Sequence, residues 1–268
     1  MDNSFIITPD KMLSVATNWI SRYDSKIDDD PNNNIYFIKP DYMKVFNDQV
    51  LSKINYPFVM ITHDSDIPAP VPEYESILEN PYLIKWFGMN CNVIHDKLQP
   101  IPIGMANECW EHGNKDIITN NIKQNNPKDN LVYCNFDINT NVLERQKCLQ
   151  LLSQFDFIDY ETNKLNFEDY INKLSTYKYV ISPPGNSVDC HRIWESMYVK
   201  TIPICLKQIP LVYFKDCPIK FINNWSCISS QELIEDYDII KSKSDIKSDF
   251  NYYTELINST ALKRAFNK

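Results

Sequence analysis

Short runs of consecutive apolar residues recur along this chain, separated by longer stretches where apolar positions return every three to four residues. The runs Ile35–Ile38, Phe58–Thr62, Ile101–Gly104, Leu131–Phe136, Tyr179–Ser182, Thr201–Leu206 and Ile219–Ile222 predict strands. Most are continuous rather than alternating, which is the pattern of strands covered on both faces. Between them the periodicity predicts helices at about 10–20, 41–53, 73–79, 141–155, 167–177, 189–199 and 231–241. Strands alternating with helices imply parallel sheets with crossover helices, an α/β fold.

The segment Asn120–Asn130 (NNIKQNNPKDN) is polar, Asn-rich and interrupted by Pro127. It predicts a boundary between domains 1–125 and 126–268, although a surface loop within one domain would look the same. A chain of 268 residues suits one large domain or two of ordinary size. Two such halves place a ligand at the carboxyl ends of their strands. The stretch Asp28–Asn34 (DDDPNNN) reads as a solvated loop without a chemical role.

Charge narrows the partners. The net charge of −8 comes without a basic stripe, so nucleic acid is not an expected partner, while a local basic pocket for one diphosphate remains open. The eight cysteines include no Cys-x-x-Cys pair, so neither a zinc site nor a compact disulfide framework is expected. The start MDNSFIITPDKML has no signal-peptide pattern, and no apolar stretch approaches the length of a membrane span. A cytoplasmic protein without membrane insertion is therefore expected. Abundant Asn, Ile and Lys with only four Gly suggest an AT-biased coding sequence, of the kind found in large DNA viruses or microbes. No G-x-G-x-x-G follows an early strand and no G-x-x-x-x-G-K-[ST] occurs, which disfavours a nicotinamide oxidoreductase and a P-loop NTPase.

The chemistry concentrates in Tyr177–Tyr198 (YKYVISPPGNSVDCHRIWESMY). A buried strand ends at Ser182, Pro183 and Pro184 stop it, and Gly185 permits a backbone approach other residues resist. Asp189 is expected to cap the helix that follows. A strand, a glycine-bearing turn and a helix N-terminus make an anion site, because free N–H groups and the helix dipole converge there. Arg192 supplies a two-pronged donor for phosphate, and Glu195 shares its helix face with His191 and Arg192. A carboxylate there is placed to accept both hydroxyls of a ribose. As an isolated helix, the same pattern would be an amphipathic element whose charges pair at the surface.

Ser182-Pro-Pro-Gly-Asn186, Asp189-x-His-Arg-x-x-Glu195 and Thr201-Ile-Pro-Ile204 together resemble the donor-site signature of exostosin-like glycosyltransferases. The resemblance extends to Ile61-Thr-His-Asp-Ser-Asp66, Trp86–Asn90, Ile101–Asn107, Val132–Phe136, Thr140-Asn141 and Glu144-Arg145, spanning about residues 57–206. It implies the GT-B architecture: two facing Rossmann-like domains with an active-site cleft between them. The N-terminal domain would bind acceptor and carry the base, and the C-terminal domain would bind the nucleotide sugar. The 242–268 tail would form a helix crossing back to the first domain. By motif, the turn of Ser182, Pro184, Gly185 and Asn186 and the side chain of Arg192 would hold the diphosphate, with Glu195 on the ribose, Asn135 and Arg145 approaching the phosphates, and His191 in the same donor site. Lys200 stands where family members usually carry Gly, so a glycine cap is not expected at the helix end. The implied reaction is inverting transfer from a nucleotide-diphosphate sugar, UDP-sugar favoured over GDP-sugar, to a hydroxyl of a glycan acceptor. No cofactor beyond that donor and no metal are expected.

An inverting transferase needs a base for the acceptor hydroxyl. The end of the Phe58–Thr62 strand offers Asp66 first, Asp64 second and His63 third; one aspartate could equally cap the following turn. Asp64-Ser65-Asp66 also spells D-x-D, which metal-dependent transferases of another fold use, so a metal-dependent enzyme is an alternative. Another is a nucleotide- or glycan-binding module of the same fold without turnover. His95, His112, Trp86 and Trp110 are acceptor-side candidates, although each Trp is more often core than sugar platform, and Asn107 and Glu108 could touch acceptor or donor sugar.

Overall fold

A computed structural model describes residues 3–28 and 30–262 of the chain. It divides into two compact units. One comprises residues 7–103 and 249–262, and the other residues 3–6 and 104–248. Both are built on parallel sheets, giving two Rossmann-like α/β units.

The first unit holds α1 (Pro9–Ser14), β1 (Asn18–Ile20), β2 (Ser25–Lys26), β3 (Ile35–Ile38), α2 (Met43–Val45), β4 (Phe58–Thr62), β5 (Leu83–Gly88) and β6 (Leu98–Pro100). Its sheet order is β2-β1-β3-β4-β5-β6, with only the β1–β2 pair antiparallel. Successive side chains split between two cores. Tyr36, Ile38, Phe58, Met60 and Trp86 enter one cluster, while Ile35, Phe37, Val59, Ile61 and Phe87 enter the other. That is why β3 and β4 read as unbroken apolar runs: both faces are covered.

The second unit holds α3 (Lys115–Gln124), β7 (Asn130–Cys134), α4 (Val142–Leu152), β8 (Ile158–Tyr160), α5 (Phe167–Leu174), β9 (Tyr177–Ile181), α6 (His191–Tyr198), β10 (Ile202–Leu206), α7 (Ile209–Val212), β11 (Lys220–Ile222) and α8 (Ser230–Lys241). All five strands are parallel in the order β11-β10-β9-β7-β8. This is a doubly wound sheet. The chain leaves β7 towards β8 and leaves β9 in the opposite direction towards β10. The strand order therefore reverses between β7 and β9, and the carboxyl ends of these two strands form the switch point where such sheets bind ligands.

Several elements depart from the pattern-based expectations. The helix expected over 10–20 stops at Ser14, and Asn18–Ile20 instead pairs with β3. The strand expected at Ile101–Gly104 does not form: β6 ends at Pro100, and prolines at 100 and 102 each remove a ladder donor. Asn120–Asn130 is the end of α3 and the lead into β7, within one unit, and the units divide after Ile103. The expected 242–268 helix is α9 (Phe250–Leu262), which packs on β4 and β5 with Tyr253 and Ile257 in their core; residues 263–268 lie outside the described residues, as do Met1, Asp2 and Asp29 of the other expected segments. All eight cysteines are free thiols, and among the described residues no helix is long and apolar enough to cross a membrane.

α6 is held at both ends. Ile193, Trp194, Met197 and Tyr198 are buried, as an apolar stripe on the sheet requires. At its end Lys200 N–H donates to Met197 O (3.0 Å) and Thr201 N–H to Ser196 O (2.8 Å), a Schellman motif. The left-handed position that Gly usually fills is taken by Lys200 at φ 60°, so the glycine-type cap forms without glycine. Lys128 Nζ donates to Val199 O and Thr201 Oγ1, both at 2.8 Å, and to Ser175 O, tying the ends of α5 and α6 to β10. Burial pushes the Lys128 pKa down to about 7.

Candidate functional site

The switch point of the second unit gathers the residues singled out by the motif. β9 delivers the Ser182–Asn186 turn, and α6 starts at His191. β7 delivers Asn135 and Phe136, and α4 delivers Arg145.

Two guanidinium groups share one aromatic ring. Arg145 lies 5.4 Å and Arg192 5.9 Å from the Phe136 centroid, and Arg192 is also 5.9 Å from that of Tyr170. Their uses differ. Arg145 is buried; its Nε donates to Pro184 O (3.0 Å) and its Nη1 to Asp137 O, so it bolts the turn to the β7–α4 loop. Burial, and then the charge of Arg192, lower its pKa. Asn141 Nδ2 adds a bond to Gly185 O (3.0 Å). A Cβ on Gly185 would sit 3.0 Å from Arg145 Nη2, which is why glycine belongs there. Arg192, by contrast, makes no hydrogen bond or ion pair among the described residues, and its buried Nε is unpartnered.

Other polar groups here are also unsatisfied. Ser182 Oγ and the Tyr133 and Tyr170 hydroxyls are buried without a hydrogen-bond partner. Glu195 is buried, and its carboxylate has no hydrogen-bond or ion-pair partner among the described residues. Burial pushes its pKa up to about 7, against the opposing pull of Arg192. Native interiors rarely leave such groups unmatched, so these orphans make the switch point the candidate seat of a polar ligand. Positive charge, an uncapped helix start and a two-strand switch point together favour an anion.

The sequence-derived roles are redistributed in detail. Asp189 does not cap α6. Its Oδ1 accepts from the Trp194 indole at 2.6 Å, and Cys190 occupies the cap position without a side-chain bond. Asn135 Nδ2 donates to Glu161 O (3.1 Å) and Asn163 O (3.3 Å), so its side-chain amide holds a loop instead of pointing its donors at a phosphate. His191 Nδ1 donates to Gly104 O at 2.8 Å. Asn186 and Pro184 lie in the turn, the first exposed and the second buried. Tyr133 and Phe136 fall within the Val132–Phe136 stretch of the resemblance without a role of their own, and Tyr170 lies on α5 beside Asp169, where an aromatic at helical spacing reads as core.

In the first unit, His63 is fully buried with both ring nitrogens occupied. Nε2 donates to Pro102 O (3.0 Å), and Nδ1 accepts from the Asp64 N–H (2.9 Å). No lone pair remains for a substrate proton, which removes His63 as a base. Asp64 adopts φ 66°, and its Oδ2 lies 3.2 Å from Lys39 Nζ, which also bonds the Asp64 carbonyl. The same ammonium lies 3.3 Å from Asp41 Oδ2. Burial raises the Asp41 pKa, but Ser65 and Lys39 outweigh it and leave the pKa lowered. Asp66 is exposed. A cation on the Asp64-Ser65-Asp66 segment would have to compete with Lys39 for Asp64. Among the described residues no group of three metal-ligating side chains is gathered.

No protein-family model and no curated protein matches the chain. Among solved structures it is similar to a UDP-forming α,α-trehalose-phosphate synthase from Burkholderia xenovorans, at 8% identity and TM-score 0.47, covering 87% of this chain and 75% of that one. It is likewise similar to an α,α-trehalose 6-phosphate synthase from Burkholderia multivorans, at 8% identity and TM-score 0.47, covering 88% and 72%.

Proposed function

We propose that the protein is an inverting glycosyltransferase whose second unit binds a nucleotide-diphosphate sugar, a UDP-sugar in preference to a GDP-sugar. The observation that carries this reading is the unpaired Arg192 guanidinium beside the bolted Ser182–Asn186 turn at the β7/β9 switch point. A diphosphate answers the positive charge and the free helix N–H groups. Glu195, three residues further along α6, accepts the ribose hydroxyls and gains the hydrogen bonds it lacks.

In the reaction, the acceptor hydroxyl gives its proton to an aspartate base. Its oxygen bonds to the anomeric carbon opposite the leaving group, and the carbon–oxygen bond to the diphosphate breaks with both electrons going to the nucleoside diphosphate. Arg192 stabilises that developing charge, so the donor site works without a metal. Asp66 is the proposed base, since His63 has no free nitrogen and Asp64 is tied to Lys39. The acceptor is a glycan.

The test is release of nucleoside diphosphate from a panel of UDP- and GDP-sugars, with and without EDTA and glycan acceptors. At least one donor should be turned over. Arg192→Ala should lower turnover by about a hundredfold, the usual loss when one charge-stabilising donor is removed. Asp66→Asn should stop transfer while donor binding persists. Tight nucleotide binding with no turnover of any donor would make the protein a binding module instead. Activity that EDTA abolishes and Mn²⁺ restores would move the diphosphate onto Asp64 and Asp66.

A further inference from the structure

A groove of about 630 Å³ opens on the second unit between the starts of α3 and α5. That volume is in the range of ligand sites. Its walls include Glu108, Trp110, Glu111, Lys115, Asp116 and Glu168. Trp110 is 54% exposed, whereas Trp86, Trp194 and Trp225 are fully buried and Trp19 is half-buried. An indole left in solvent by a chain that buries its others marks an interaction surface.

The backbone that carries the exposed ring is held in place. The Trp110 backbone N–H donates to Asn107 O (3.0 Å), and the Gly113 backbone N–H donates to Trp110 O (2.9 Å). Gly113 packs so closely that a Cβ would lie 1.9 Å from Asn107 O. His112 stacks on the indole at 6.2 Å with an interplanar angle of 29°, and can cover only one of its faces. His112 in turn lies 6.0 Å from His191, the first residue of α6. A run of rings thus leads from the groove to the helix start proposed to meet the diphosphate.

Charge selects the occupant. Lys115 is already paired with Glu108, which leaves Glu111, Asp116 and Glu168 as an acidic lining with no cation paired to it among the named walls. Such a lining repels phosphates and acidic sugars, and its carboxylates accept charge-assisted bonds from hydroxyl groups. A flat apolar face ringed by hydroxyl acceptors matches a sugar ring, whose C–H face is apolar and whose rim is all hydroxyls. We propose that this groove binds a neutral oligosaccharide stacked on Trp110, and that, resting on the transferase reading, it is the seat of the glycan acceptor.

The probes are the neutral hexasaccharides of glucose, xylose, mannose and N-acetylglucosamine, with a glucuronate-containing oligosaccharide as the charged control. At least one neutral probe should shield Trp110 from iodide quenching, and the acidic control should not. By calorimetry, Trp110→Ala should lose at least about tenfold in affinity, while Trp110→Phe should stay within about threefold of wild type. Both variants should retain the wild-type response to UDP, which shows them folded. If no neutral probe at about 10 mM protects the indole, or if Trp110→Ala binds as well as wild type, the groove is not a saccharide site. Loss of saccharide binding with the UDP response intact overturns this inference alone. Absence of a UDP response with saccharide binding intact overturns the nucleotide reading alone.

Discussion

Glu195→Gln keeps the shape of the side chain and removes its charge, which separates what the carboxylate costs the fold from what it gives the ligand. Burial raises the Glu195 pKa from 4.5 to about 7. The folded state therefore holds this proton more tightly than the unfolded chain does. Between pH 4.5 and about 7 the native state binds more protons, so stability from this group is complete below 4.5 and is lost as pH rises through 7. At about 1.4 kcal/mol for each tenfold of proton affinity, keeping the carboxylate ionised at pH 8 costs about 3 kcal/mol. Gln carries no such cost. The variant should melt with wild type near pH 4.5 and above it at pH 8, by roughly 6–10 °C for a chain of this size. Its UDP affinity at pH 8 should fall by about 10- to 100-fold, because hydrogen bonds to a charged acceptor contribute about 1.5–3 kcal/mol. Thermal unfolding and UDP titration at both pH values check the two halves. A melting difference independent of pH, or unchanged UDP affinity at pH 8, would refute the reasoning.

Lys200→Gly should stabilise the protein by about 1 kcal/mol, since a side chain at φ 60° carries a left-handed penalty of roughly 1–2 kcal/mol, partly offset by glycine's unfolded-state entropy; denaturant unfolding measures it. Loss of stability there would mean that the Lys200–Asp245 ion pair (2.6 Å) outweighs the strain. Gly185→Ala should destabilise by about 1–3 kcal/mol and weaken UDP binding, because Arg145 is anchored through Nε and Nη1 and cannot yield to the new methyl. Wild-type melting and binding in that variant would show that the turn is not bolted.

The sheets were legible in the sequence wherever burial on both faces produced a continuous apolar run, as in β3, β4 and β10, Leu131–Cys134 of β7 and Tyr179–Ile181 of β9. What escaped has particular causes. β5 carries Lys85 in its middle, and β1 continues the helical spacing of α1. The end of α3 falls in the Asn120–Asn130 stretch that reads as a linker, because its buried face is partly polar: Thr119 and Asn121 are both buried, and Asn121 Nδ2 bonds Asn172 Oδ1 at 2.8 Å. At the candidate site, the turn, Arg192 and Glu195 were legible from residue type and spacing. The division of labour between the two arginines was not. Only the fold reveals that Arg145 spends donors on the carbonyls of Pro184 in the turn and Asp137 in the β7–α4 loop while the Arg192 Nε is left without a partner. Likewise, Asp189 is one residue from a capping position, yet the Trp194 indole takes its carboxylate.

The most direct test of the donor site is a thermal-shift titration of UDP and GDP, with and without EDTA, on wild type and Arg192→Ala. A ligand at about 100 times its Kd stabilises by roughly 2.7 kcal/mol, a rise of several degrees. UDP should raise the wild-type midpoint regardless of EDTA, and Arg192→Ala should lose the rise. No response to either nucleotide, or a response that needs Mn²⁺ and survives in Arg192→Ala, would contradict a donor site at the β7/β9 switch point.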